Sequence, residues 1–194
     1  VTKKFRHGFK SESEYYALTF RDEMSLAPYA PLDAKALAKN LEIPVIPLST
    51  HSGVPQEIKT FWRTNGKDTF SGVTINDGAY KEIIYNDFHH PRRQNSDIAH
   101  ELAHIVLGHP LTAPIKANGE RDYDPTIEEE AKWLGAAILL PKKALIYIIL
   151  NALPIETVQT EYNVSESLFQ FRVQVTDAYR AAKNIRRKYG SAAE

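Results

Sequence analysis

The chain has 194 residues, 24 basic and 24 acidic side chains, seven His and no Cys. That length allows one domain with a sizeable core, and 43% hydrophobic with 25% charged residues excludes a disordered or fibrous protein. The lack of Cys excludes disulfide scaffolds, thiol nucleophiles and Cys-ligated zinc, and the charge balance argues against direct binding to nucleic acid or an acidic membrane.

In chain order, residues 11–25 carry Tyr15, Leu18 and Met24 among charges and read as a helix, broken by the segment holding Pro28 and Pro31. Asp33 is placed to cap a second short helix containing Leu37 and Leu41. Pro44 and Pro47 make Ile43 to Leu48 an edge strand, because proline cannot donate to a central ladder. Residues 59–64, 69–75 and 80–86 are rich in β-branched and aromatic side chains, with Asn65-Gly66 and Asn76-Asp77-Gly78 between them. They are expected to form a small antiparallel meander. Helical periodicity follows over about 94–108, 126–140, 142–151 and 165–189, and residues 157–173 also read as two helices joined by a short turn. Strands first and helices after is an α+β pattern. The expected division is residues 1–141 as N-terminal helices plus core and 142–194 as a helical subdomain, together one compact unit. No stretch reaches the ~18–20 apolar residues of a membrane span. The start at Val1 rather than Met suggests a trimmed chain, and a cytoplasmic protein is the default expectation.

The chemistry lies in the HExxH pattern formed by His100, Glu101 and His104. On a helix, residues four apart sit ~40° from each other, so both imidazoles can reach one ion. Ile98, Leu102, Ile105 and Val106 mark an opposite, apolar stripe. Glu101 is well placed to touch a water at the metal and act as base. The bland alternative is two surface His with Glu as an ion-pair partner. A catalytic zinc takes three protein ligands, so one more is needed. His109 fits the end of the helix, where a cation suits the macrodipole. Among Glu128, Glu129 and Glu130, Glu129 reads as part of a capping box with Thr126. Glu128 is the favoured ligand, beside the small Ala131 and Gly135 that would let another helix approach, and Glu130 is second.

At these residues the sequence resembles the ImmA/IrrE family of metallopeptidases, over roughly residues 26–141. The resemblance is carried by the segment from Ala27 to Asp33, by Ile43-Pro44-Val45, by Ile83-Ile84-Tyr85-Asn86 and by Arg92-Arg93. Ala99 to His104 and the Glu128-Glu129-Glu130-Ala131 run ending at Pro141 complete it. It implies a zincin-like fold with a small antiparallel sheet, an HExxH helix and a C-terminal helical subdomain. It also implies Glu128 as the third ligand, zinc (or manganese) as cofactor, and cleavage of a helix-turn-helix repressor acting in trans. The chain departs from the family at Ser96 and Asp97, where an aromatic and a Thr are usual, and its following His comes one residue late at His109. Lys132 stands where thermolysin-like enzymes carry an Asp.

An electrophile for the developing oxyanion is expected, with Tyr80, Tyr85, His89, His90 and His109 as candidates. The strand 80–86 could take an extended substrate by strand addition. The C-terminal helices superficially resemble a helix-turn-helix with Arg186-Arg187-Lys188 at the end. Glu156, Glu161, Glu166 and Asp177 spoil a basic recognition face, which favours docking of a partner. A protein that sequesters a repressor without cleaving it is the alternative function.

Overall fold

The computed structural model describes residues 5–64, 66, 70–76, 80–110 and 124–189. The chain opens with α1 (Phe9–Glu23) and α2 (Ala34–Asn40), the latter capped by Asp33, whose carboxylate accepts from Ala36 N–H. Strand β1 (Val45–Pro47) follows, then helix α3 (Gln56–Arg63), and strands β2 (Gly72–Asn76) and β3 (Lys81–Tyr85). Six further helices complete the described chain: α4 (Pro91–Val106), α5 (Pro125–Leu139), α6 (Lys142–Leu150), α7 (Ile155–Glu161), α8 (Glu166–Val175) and α9 (Ala178–Tyr189). The class is α+β.

The expected strand at 59–64 lies largely in α3. Ile58, Phe61 and Trp62 recur at the spacing of one helical face, and Pro55 caps the start, so helical periodicity prevails over the strand preference of the aromatics. The sheet is correspondingly not an antiparallel meander but a mixed one, ordered β1-β3-β2. β1 runs parallel to β3, with Val45 opposite Ile83, and β2 runs antiparallel to it, with Gly72 opposite Tyr85. Asn65 and the Asp77-Gly78 part of the second turn signal lie outside the described residues. Because β3 is paired on both sides, it is not an edge open to strand addition. The helix expected over 165–189 is two: Thr176 is extended, and Asp177 begins α9 by accepting Ala181 N–H on its carbonyl.

The core lies between the sheet and the helices. Ile83 and Tyr85 of β3, Ile98 and Leu102 of α4, and Leu134 and Ile138 of α5 are its middle, and Ala144, Leu145 and Val158 extend it toward the C-terminal helices. Two buried guanidinium groups close one end of α5. Arg21 donates to the carbonyls of Ile138 (2.9 Å) and Leu139 (3.3 Å), and Arg172 donates to Leu140 (2.9 Å). These are carbonyls that a helix end leaves without intrahelical partners, at the negative pole of its dipole. Glu14 pairs with Arg172 and also accepts Lys142 N–H at 2.8 Å. The opposite end of α5 carries Glu128.

Candidate metal centre

Helix α4 is anchored on its apolar side. Pro91 occupies the first turn, His90 caps it by accepting Arg92 N–H on Nδ1 at 3.2 Å, and Ile98, Ala99, Leu102 and Ala103 are fully buried. Ile105 and Val106, expected in the same stripe, are only half-buried against the core. With that face fixed, His100, Glu101 and His104 lie on the flank between β2 and α5.

Helix α5 starts two residues earlier than the Thr126 capping box requires. Pro125 has a φ suited to the first helical position and no N–H to satisfy, which leaves Asp124 as the cap, its carboxylate accepting Thr126 N–H at 2.8 Å. Glu129 is therefore not the capping partner but an exposed acid paired with Lys132 at 3.4 Å. Gly135 lets α5 close on α4: a Cβ there would stand 3.0 Å from the carbonyl oxygen of Ala99 and 3.1 Å from the His100 nitrogen. That approach brings Glu128 to the two imidazoles.

The donor atoms converge. His100 Nε2 is 3.1 Å from His104 Nε2 and 3.3 Å from Glu128 Oε2, and His104 Nε2 is 3.6 Å from Glu128 Oε1. A tetrahedral ion with bonds of about 2.0–2.1 Å spaces its ligands about 3.3–3.4 Å apart, so the three donors fit one divalent cation. Their protonation fits too. Burial, then the neighbouring His100, push the His104 imidazole down to about 4, so its ring is neutral and has a lone pair at neutral pH. The hydrogen bond from His100 holds the Glu128 carboxyl below its ordinary range, against its partial burial. Two imidazole nitrogens and one carboxylate form a donor set suited to zinc.

Residues 56–174 match the family described as the IrrE N-terminal-like domain, Peptidase_M78. The chain belongs to that family. No curated protein matches it closely enough to name. Family membership supports a metallopeptidase-type function, and the matched region runs from the start of α3 through nearly all of α8.

The acid of the motif, Glu101, is held from the sheet. Thr74 of β2 donates its hydroxyl to Oε2 at 2.7 Å, and Gly72, two residues earlier on the same strand face, leaves room for the side chain. A Cβ at Gly72 would stand 3.3 Å from Glu101 Cγ. Burial pushes the Glu101 carboxyl up, while the Thr74 hydroxyl and then His100 pull it back.

The other sequence candidates have different places. Glu130 is not in the cluster; its Oε2 is 3.3 Å from His109 Nε2. His109 does not simply stand at the helix end: its Nδ1 lies 3.1 Å from His104 Nδ1. Tyr80 donates its hydroxyl to Glu82 (3.1 Å), and Tyr85 accepts on its hydroxyl from Lys35 (2.9 Å). His89 is buried, with Asn86 at 3.3 Å and Asp97 at 3.2 Å. His90 caps α4. A cleft of about 960 Å³ opens beside His100 and runs along α4 and α5 to α8, with Arg92 and Arg93 on one side and Leu139, Leu168 and Phe171 on another.

Sequence reasoning misses Thr74 and Gly72, since a lone Thr and a lone Gly in a short strand carry no signal of what they will face. It also misses the pairing of Asp97, one of the two departures from the family pattern, with His89. Burial first raises the Asp97 carboxyl, and the hydrogen bond with His89 and the nearby Arg93 oppose that shift.

Proposed function

We propose that this protein is a metal-dependent endopeptidase that hydrolyses a peptide bond in a protein substrate, with zinc as the favoured ion and manganese as the second. The observation that carries this reading is Glu101: a half-buried carboxylate beside the three-donor cluster, with one oxygen engaged by Thr74. A bound divalent ion supplies Lewis acidity where His100, His104 and Glu128 converge. The chain's own work is proton transfer. Glu101 takes one proton from the attacking water as its oxygen adds to the carbonyl carbon, and returns it to the nitrogen as the C–N bond breaks. Thr74 keeps the carboxylate aimed during both transfers. The cleft beside His100 is large for a small-molecule site and suits several residues of a chain.

The substrate we infer is a helix-turn-helix repressor acting in trans, on the family resemblance and on a formal net charge of zero, which argues against DNA as the direct partner. Sequestration without cleavage has no use for a base at Glu101. The test is incubation of a candidate repressor with wild type, with Glu101→Gln, and with wild type plus chelator. Cleavage falls by about 10²–10⁴-fold in Glu101→Gln, with bound metal unchanged, and stops with chelator. A Glu101→Gln protein that relieves repression as well as wild type, with no fragments from either, sinks the peptidase reading.

A further inference from the structure

His109 and Glu130 stand behind the metal cluster in a fixed row. A continued helix would carry His109 about 140° around the axis from His104, out of its reach. Gly108 instead adopts φ +65°, and His109 N–H closes on the His104 carbonyl oxygen at 3.0 Å. This left-handed turn returns the ring edge-on to His104, with centroids 5.1 Å apart and the two Nδ1 atoms 3.1 Å apart. On its far side, His109 Nε2 meets Glu130 Oε2 at 3.3 Å, and both side chains are nearly buried, 8% and 13% exposed. Arg6 approaches the other oxygen of Glu130 at 3.9 Å.

The proton positions follow from the geometry. His104 turns Nε2 toward His100 and Glu128, so binding an ion there requires a lone pair on Nε2 and places the proton of the neutral ring on Nδ1. That Nδ1–H needs an acceptor, which His109 Nδ1 provides only if His109 carries its own proton on Nε2. The His109 Nε2–H then donates to the Glu130 carboxylate. With the His104 proton on Nδ1, a His109 proton on Nδ1 as well would set two N–H groups against each other at 3.1 Å.

We propose that His109 and Glu130 are positioning residues that hold His104 in its metal-binding tautomer and ring orientation. The pair raises affinity for a divalent ion without contacting it, as outer-shell carboxylates do behind imidazole ligands. The proposal rests on His100, His104 and Glu128 as ligands and is independent of whether the protein cleaves anything. It also gives a role to two side chains that by spacing alone stand behind Glu128 as ligands.

The test is zinc affinity, measured by chelator competition on the full chain for wild type, His109→Leu, His109→Gln and Glu130→Gln, each checked for folding by circular dichroism. His109→Leu, which removes the acceptor, binds zinc about 10–100-fold more weakly. His109→Gln, whose side-chain carbonyl can accept from His104, recovers most of that loss, and Glu130→Gln falls between. In parallel, ¹⁵N-histidine spectra of zinc-loaded wild type show His104 protonated on Nδ1 and His109 on Nε2, a signature that a merely space-filling His109 would not produce. Folded His109→Leu with zinc affinity within about twofold of wild type overturns the proposal, as does a wild-type spectrum with His109 protonated on Nδ1. Should His109→Leu fail to fold, the wild-type spectrum decides alone. Wild type that binds no zinc removes the ligand assignment and this proposal together, whereas zinc binding with the tautomers as stated but no cleavage removes only the peptidase reading.

Discussion

Thr74 and Glu101 meet across 27 positions of sequence through one hydrogen bond of 2.7 Å, and the titration of the Glu101 carboxyl depends on it. The hydroxyl stabilises the carboxylate form and opposes the upward push of burial. Thr74→Val therefore raises the carboxyl further, so less of it is ionised at a given acidic pH. The acidic limb of the kcat/KM profile moves to higher pH, and a pH–rate series on a cleaved peptide reads the shift. His104 gives a second residue-level expectation, for metal-free protein. Its folded value of about 4 lies below the ordinary 6.5. Between those values the unfolded chain takes up a proton that the folded protein refuses, so stability falls as pH is lowered from about 6.5 toward about 4. The held-down Glu128 carboxyl works in the same direction, since its protonation also favours the unfolded chain. Thermal melts in the presence of chelator at stepped pH would show Tm declining across that window. A flat Tm would contradict the placement of His104.

At the scale of elements, the site is a contact between α4 and α5 with β2 as a brace. Gly135 sets the distance of that contact, facing the backbone of Ala99 and His100 rather than a movable side chain. Gly135→Ala gains about 1 kcal/mol in helix propensity, but overpacking against backbone costs about 1–3 kcal/mol. The net expectation is no rise in Tm and weaker zinc binding, because Glu128 is displaced from the imidazoles. Higher Tm with unchanged zinc affinity would show that the helices do not need this close approach. The small Ala131 and Gly135 beside Glu128 are legible in the sequence as a helix-contact signal. The start of α5 is not, because Asp124 and Thr126 are both good caps and only Pro125 between them selects the register. α3 is ambiguous for a related reason: eight residues holding Ile58, Phe61 and Trp62 satisfy both a strand composition and a helical spacing. Short segments leave that conflict to tertiary context.

Over the whole molecule, α5 is held at both ends by different chemistry. Glu128 at its N-terminal end faces His100 and His104, and Arg21 and Arg172 close its C-terminal end from α1 and α8. Burial lowers the Arg21 guanidinium to about 10, which leaves it charged at neutral pH. Arg21→Met strands the Ile138 and Leu139 carbonyls in the core, where each unsatisfied group costs about 1–3 kcal/mol. The expected loss is roughly 2–4 kcal/mol by urea unfolding, with zinc affinity of the folded fraction unchanged, since the break lies at the far end of α5. A variant that loses zinc affinity and keeps its stability would contradict that separation. Among the described residues, no single helix is long and apolar enough to cross a membrane.

By itself the sequence determined what local spacing can determine. A four-residue step on one helical face fixes the pair His100 and His104, the turn residue Asp33 fixes a cap, and the absence of Cys forces any third ligand to be a nitrogen or an oxygen. Preferring Glu128 over Glu130, two residues apart, drew on the small Ala131 and Gly135 beside it and agreed with the family resemblance, and the reason the two differ lies in how α5 crosses α4. Tertiary structure alone decided what those side chains face, Thr74 on Glu101 and His109 and Glu130 behind His104, and it alone decided the parallel pairing of β1 with β3. Such contacts join positions far apart in sequence, or depend on one left-handed residue such as Gly108. Neither leaves a periodic trace in the chain, because periodicity records only which side of an element is buried and not what the other side meets.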